Sequence, residues 1–128
     1  MVVRVAINGF GRLGRIIFRA IRQYYRRECV VVAVNDACDI KSNVHLLCYD
    51  SAHKRFPEQL TIVDENHFEV GTGADKWVVQ NIMTNGRELT KNGPSKLPWA
   101  ELNVDIAIEA TGVFRSHSQK DADGNVTK

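Results

Sequence analysis

The sequence is short of the features that would make it something other than an ordinary compact domain. It has three cysteines, three prolines and two methionines in 128 residues. Cys29, Cys38 and Cys48 are odd in number and widely spaced, which fits neither a disulfide framework nor the short ligand spacings of a zinc site. They read as buried or half-buried thiols of a reducing compartment. Charge of one sign is also missing: 17 Lys and Arg stand against 15 Asp and Glu, for a net +2. Such a balance makes no nucleic-acid groove, and no stacking-aromatic motif accompanies it. No apolar run approaches the roughly 20 residues of a membrane span. The opening Met1-Val2-Val3-Arg4-Val5-Ala6-Ile7-Asn8-Gly9 meets a charge and a glycine too early for a secretory signal, so the expected location is cytoplasmic and no membrane partner is expected.

What is present is enough aliphatic surface for a core, with 44% hydrophobic and 25% charged residues. The chain is read as one domain, residues 1–128. Val2 to Ile7 is an apolar run that stops at Asn8-Gly9, as a buried strand entering a tight turn does. A helix should begin near Arg12, because Leu13, Ile16, Ile17, Ala20, Ile21 and Tyr24 recur at helical spacing, with Arg15, Arg19, Arg22 and Gln23 largely off that stripe. Arg19, Arg22, Arg26 and Arg27 gather at its end, where a solvated cluster facing the negative helix terminus is the simplest reading. Cys29 to Asn35 is a β-branched run suited to a strand covered on both faces. Strand, helix and strand thus make one βαβ unit.

Further on, residues 40–49 read as a second helix, and residues 60–63, 68–70 and 77–83 as shorter strands. Residues 104–110 form another strand, expected beside 2–7 and ending at Thr111-Gly112. From Arg115 onward the composition is polar and reads as loop or tail. The predicted class is α/β, a Rossmann-type dinucleotide-binding domain with a mostly parallel sheet, incomplete at its carboxyl end.

Gly9, Gly11 and Gly14 satisfy G-x-G-x-x-G between a strand and an amphipathic helix. The first allows the turn, the second lets backbone approach a pyrophosphate, and the third lets helix and strand pack closely. Phosphates would lie on the unpaired N–H groups at the positive end of the helix. Asp36 stands at the end of the next strand, where a carboxylate accepts from ribose hydroxyls and repels the extra phosphate of NADP. An Asp capping the next turn is the alternative. Ala110-Thr111-Gly112 closes a third strand with small residues, leaving space for a cofactor or marking only a turn.

Together these segments resemble the glyceraldehyde-3-phosphate dehydrogenase family over nearly the whole length. The matching blocks are Val5 to Arg15, Val34-Asn35-Asp36, Leu46 to Ser51 with His53 and Phe56, Leu97-Pro98-Trp99, and Val104-Asp105 with Glu109-Ala110-Thr111-Gly112-Val113-Phe114. The resemblance implies NAD as cofactor. It places Asn8, Gly9, Phe10, Gly11, Arg12, Leu13 and Gly14 at the fingerprint, with the pyrophosphate on the backbone of Arg12 and Leu13. Asp36 falls at the adenosine ribose, Arg87 near the adenine, and Thr111 and Gly112 near the nicotinamide. Arg87 stands farther upstream of Pro98-Trp99 than the family arginine, and Lys54 replaces the family's glycine.

For the complete enzyme the resemblance implies a thiolate nucleophile, a histidine base, glyceraldehyde 3-phosphate and inorganic phosphate as substrates, and a homotetramer. None of the three cysteines matches the nucleophile's motif. His45, His53, His67 and His117 do not match the base's, so no catalytic residue is assigned here and no metal is implied. A stand-alone nucleotide-binding or interaction module and a piece of an erythrose-4-phosphate dehydrogenase are the competing readings.

Overall fold

A computed structural model describes residues 2–50, 54–84, 97–112, 119–120 and 126–127. Strand β1 (Val3–Asn8) leads through the glycine turn into helix α1 (Arg12–Tyr24), and β2 (Cys29–Asp36) follows. Helix α2 (Ile40–Cys48) opens on Asp39, whose side chain accepts from the Ser42 N–H at 2.9 Å, a regular N-cap. A two-residue pair, β3 (Tyr49–Asp50) and β4 (Lys54–Arg55), then leads to β5 (Leu60–Ile62), β6 (His67–Val70) and β7 (Trp77–Met83). Strand β8 (Ile106–Glu109) comes last in the main sheet.

The six-stranded sheet runs β5-β6-β7-β2-β1-β8. Its four strands β7, β2, β1 and β8 are parallel, while β5 and β6 add antiparallel to the β7 edge. The chain moves outward from β1 through β2 to β7 and then returns to the other side of β1. Strand order therefore reverses between β1 and β8, the place where open α/β sheets receive ligands. This is the predicted α/β class with a mostly parallel sheet. Among the described residues β8 pairs with β1 alone.

One core unites α1, α2 and the sheet. Phe18 is fully buried at its centre, edge-on to Phe10 at 5.6 Å and to Trp77 at 5.7 Å, and tilted against Phe56 and Phe68. Such aromatic geometry adds about 0.5–1.5 kcal/mol per pair beyond area burial.

The helix stripe differs from its prediction. The buried side of α1 is Gly14, Phe18, Ile21 and Arg22, whereas Leu13 is 57% and Tyr24 70% exposed. Arg22, placed off the stripe by its charge, is 1% exposed. Its Nε and Nη2 donate to the two Glu58 carboxylate oxygens at 2.8 and 2.7 Å, its Nη1 donates to the Asp75 carbonyl at 2.7 Å, and the guanidinium lies over Trp77 at 4.9 Å. Arg26 bonds Asp75 at 2.9 Å and Glu58 at 3.2 Å. Two of the four arginines expected to be solvated, Arg22 and Arg26, thus tie α1 to the antiparallel edge of the sheet, whereas Arg27 is exposed. Bidentate geometry makes that tie specific.

Other boundaries also shift. Val104 and Asp105, predicted as strand, belong to the turn before β8: the Val104 N–H donates to the Trp99 carbonyl at 3.0 Å and Asp105 N–H to that of Arg4 at 2.8 Å. The polar segment read as loop or tail contains a short antiparallel pair, β9 (Gln119–Lys120) with β10 (Val126–Thr127). Cys38 is exposed, against the expectation of buried thiols, while Cys29 and Cys48 are half-buried and all three are free.

Candidate functional site

The carboxyl ends of β2, β1 and β8 meet around the glycine turn. Gly9 has φ +100°, a left-handed value that L side chains rarely adopt, and a Cβ there would stand 2.5 Å from the Thr111 nitrogen. Gly14 lies inside α1 against the same turn, where a Cβ would meet the Gly9 carbonyl oxygen at 2.1 Å. These two glycines allow β1, α1 and the 110–112 turn to touch.

Gly11 differs from both. It is the N-cap of α1, with φ −76° and ψ −160°, values open to any residue, and a Cβ there would meet nothing within 4 Å. No side chain caps this helix end and no acidic residue occupies its first turn. The opening N–H groups have no intrahelical partner, and the helix dipole makes the place favourable for an anion by about 0.3–1 kcal/mol. Open space over backbone donors is the shape a pyrophosphate requires.

Asp36 closes one side. One of its carboxylate oxygens accepts from the Phe10 N–H and the other from the Cys38 N–H, both at 3.2 Å. These N–H groups take two of the carboxylate's four lone-pair positions and the Cys38 thiol takes a third, which leaves one for a ribose hydroxyl and a second when the thiol turns away. These bonds span the glycine turn rather than only capping the segment after β2. The neighbouring Cys38 thiol is pushed up from its ordinary value, first by its hydrogen bond to Asp36 and then by burial and by the charges of Asp36 and Asp39.

The other side is Glu109-Ala110-Thr111-Gly112. The Ala110 N–H donates to the Asn8 carbonyl at 2.7 Å, extending the β1–β8 ladder, and Gly112 turns with φ +78°. Thr111 donates through both its N–H, at 2.8 Å, and its hydroxyl to Glu109.

The structure therefore brings Asn8, Gly9, Phe10, Gly11, Arg12, Leu13, Gly14, Asp36, Thr111 and Gly112 to one end of the sheet. They contribute differently. The Phe10 ring is 1% exposed and belongs to the core, so only its backbone faces the turn. Asn8 is 3% exposed, behind the turn. Arg12 and Leu13 carry exposed side chains on the first turn of α1. Arg87 lies outside the described residues, as do His53 and His117. His67 pairs with Asp64 at 2.9 Å on the β5–β6 hairpin, and His45 packs on the Tyr49 ring at 5.1 Å.

Glu109 was not singled out on its own by its sequence pattern. The signal available was that three apolar strands each carry an amide or carboxylate at or next to their last position: Asn8, Asn35 and Glu109. A cavity of about 490 Å³ opens elsewhere, along the carboxyl half of α1 between Ile16, Ala20, Gln23, Phe56 and Pro57. It is lined by none of the residues gathered at the glycine turn.

Comparison with known proteins identifies the family. Residues 3–117 match the family model described as glyceraldehyde 3-phosphate dehydrogenase, NAD binding domain. Glyceraldehyde-3-phosphate dehydrogenases of Thermotoga maritima, Xanthobacter flavus and Cereibacter sphaeroides are 40%, 42% and 44% identical to the chain over 121, 120 and 115 residues. Those alignments cover 92%, 93% and 89% of this chain but 32%, 32% and 30% of the relatives. The chain spans about a third of the length of the curated relatives it matches. With the parallel sheet, the glycine turn and Asp36 in place, the chain belongs to the glyceraldehyde-3-phosphate dehydrogenase family, as its NAD-binding domain.

Proposed function

We propose that NAD lies across the ends of β2, β1 and β8, and that the chain is the cofactor-holding part of a phosphorylating glyceraldehyde-3-phosphate dehydrogenase. The observation that carries this reading is the uncapped amino end of α1 under open space at Gly11, flanked by a carboxylate whose bonds straddle the same turn. The pyrophosphate rests on the N–H groups of Arg12 and Leu13. Asp36 takes the adenosine ribose, and Thr111-Gly112 borders the nicotinamide half. Arg87 supplies a contact to the adenine.

Bound NAD supplies the hydride acceptor. This chain orients it: Asp36 fixes one nucleoside, the helix terminus neutralises the phosphates, and the close packing of Gly9 on Thr111 sets how far the second nucleoside sits from the first. In the whole protein, residues beyond this chain supply the thiolate that attacks glyceraldehyde 3-phosphate and the site where inorganic phosphate releases the acyl group. That protein works as a cytoplasmic homotetramer.

Asp36 also selects NAD over NADP. A unit negative charge about 4 Å from the carboxylate costs on the order of 4 kcal/mol at an effective dielectric of about 20. The test is calorimetric titration with NAD and NADP. Saturable NAD binding, much weaker NADP binding and loss of NAD binding in Asp36→Ala are expected. Equal affinity for both nucleotides in the native chain would refute the assignment of Asp36.

A further inference from the structure

The side chains ending β2, β1 and β8 form one hydrogen-bonded chain across the sheet. Asn8 stands in register with Asn35 on one side and Glu109 on the other. Asn35 Nδ2 donates to Asn8 Oδ1 at 2.8 Å, and Asn8 Nδ2 donates to Glu109 Oε2 at 2.8 Å. The other Glu109 oxygen accepts from the Thr111 N–H at 2.8 Å and from its hydroxyl. Asn8 and Asn35 are 3% and 0% exposed, so water does not substitute freely for these bonds.

A primary amide donates at one end and accepts at the other, whereas a carboxylate only accepts. Glu109 therefore fixes the direction of the whole chain. With it in place Asn8 must turn its NH2 toward β8 and its oxygen toward β2, and Asn35 must follow. The direction leaves Asn35 Oδ1 buried without a partner among the described residues, which is tolerated because the opposite end is anchored on a charge.

We infer that Glu109 is a positioning residue for the dinucleotide. Its carboxylate locks the Asn8 amide behind the Gly9 turn and pins the backbone of Thr111, so that the turn on the β8 side is already formed when the second nucleoside arrives. The inference rests on the NAD reading above. Its effect falls on the ligand beyond the pyrophosphate, because Asp36, which receives the first nucleoside, is held by Phe10 and Cys38 and has no bond to this chain of amides.

Glu109→Gln sets an NH2 against Thr111 or against Asn8 Nδ2 unless both asparagine amides reverse, so the direction that the carboxylate imposes is lost. The test compares NAD with ADP, which lacks the second nucleoside, by calorimetry on the full chain, with thermal unfolding as a control. Glu109→Gln is expected to weaken NAD by about tenfold or more, the worth of a bond to a charged group. ADP should stay within about twofold of the native value, since its contacts lie on the other side of the turn.

Adding Asn8→Asp to Glu109→Gln lets the new carboxylate accept from both Asn35 and the glutamine amide, while the glutamine oxygen accepts from Thr111. That double variant should recover NAD affinity relative to Glu109→Gln. If Glu109→Gln does not fold, Glu109→Asp keeps the charge but shortens its reach, and should shift the NAD-to-ADP ratio in the same direction. Equal weakening of NAD and ADP, or no change in either, overturns the positioning role. A native chain that binds neither nucleotide contradicts the NAD reading itself.

Discussion

Replacing Gly14 and Gly11 by alanine one at a time should separate folding from binding at the same turn. At Gly14 the added Cβ would lie 2.1 Å from the Gly9 oxygen, 3.1 Å from the Gly9 carbonyl carbon and 3.3 Å from Ile7 Cγ2. The first is backbone overlap of more than 1 Å, which rotamer change cannot relieve. Alanine gains about 1 kcal/mol of helix propensity over glycine. Overpacking costs about 1–3 kcal/mol, more where backbone must move. The clash wins, and a net loss of about 2 kcal/mol lowers the melting temperature by roughly 8 °C in a domain of this size.

At Gly11 the Cβ enters open space from an ordinary backbone conformation. Alanine is a poorer N-cap than glycine by a few tenths of a kcal/mol to about 1. The reduced freedom of the unfolded chain returns about 0.4–1 kcal/mol. Stability should therefore stay within about 0.5 kcal/mol of native, the residue of those two effects. The methyl group instead occupies the space assigned to the pyrophosphate. Losing one charged hydrogen bond, about 2 kcal/mol, weakens NAD roughly 30-fold. Circular-dichroism melts and calorimetric titration read the two quantities. A Gly11→Ala chain with native NAD affinity, or a Gly14→Ala chain with a native melting temperature, would refute the reasoning.

Four further outcomes are expected. Asp36→Ser should bring the affinities for NAD and NADP together, measured by titration, because the like-charge penalty is removed while a hydroxyl still reaches the ribose. Arg22→Met should cost about 2 kcal/mol in urea denaturation, since it removes the two shortest bonds to the Glu58 carboxylate, which keeps only Arg26 among the described residues, and the contact over Trp77. Glu58 is held below the usual carboxylate range, chiefly by its hydrogen bond from Arg22 and then, against burial, by the Arg22 and Arg26 charges. A lowered folded value means that its stabilisation is present at neutral pH and fades as pH falls from the usual glutamate range through that lower value. The stability difference between native and Glu58→Gln chains should thus shrink toward zero on acidification, as followed by urea midpoints at several pH values. Lys54 sits at φ +66°, a left-handed value that favours glycine, so Lys54→Gly should raise stability by up to about 1 kcal/mol in the same urea assay.

Much of this fold is local and so legible in sequence. An apolar run, a glycine turn and a helical period follow one another within the first 36 residues, and each is set by neighbours along the chain. Strand Trp77–Met83 was visible for the same reason: five of its seven residues are apolar and polar turns bound it. The burial of Arg22 was not visible. Its partners Glu58 and Asp75 lie 36 and 53 residues away, and periodicity counts an arginine as solvent-facing whatever packs against it. Leu13 and Tyr24 were misplaced by the same blindness, being apolar residues that no element covers among the described residues.

At the site, glycine spacing and Asp36 were legible because backbone geometry dictates residue type there. The Asn35–Asn8–Glu109 chain depends on strand register across three strands, and no single segment encodes it. Sequence could offer only that each of those strands ends on a polar side chain.

Hydrogen exchange read by mass spectrometry, with and without saturating NAD, tests most directly where the dinucleotide lies. NAD should slow exchange at the backbone of residues 9–14, 36–38 and 110–112 and leave the carboxyl half of α1 and the β5–β6 hairpin unchanged. Protection centred instead on the cavity beside Phe56 and Pro57, with the glycine turn unaffected, would contradict the site described above.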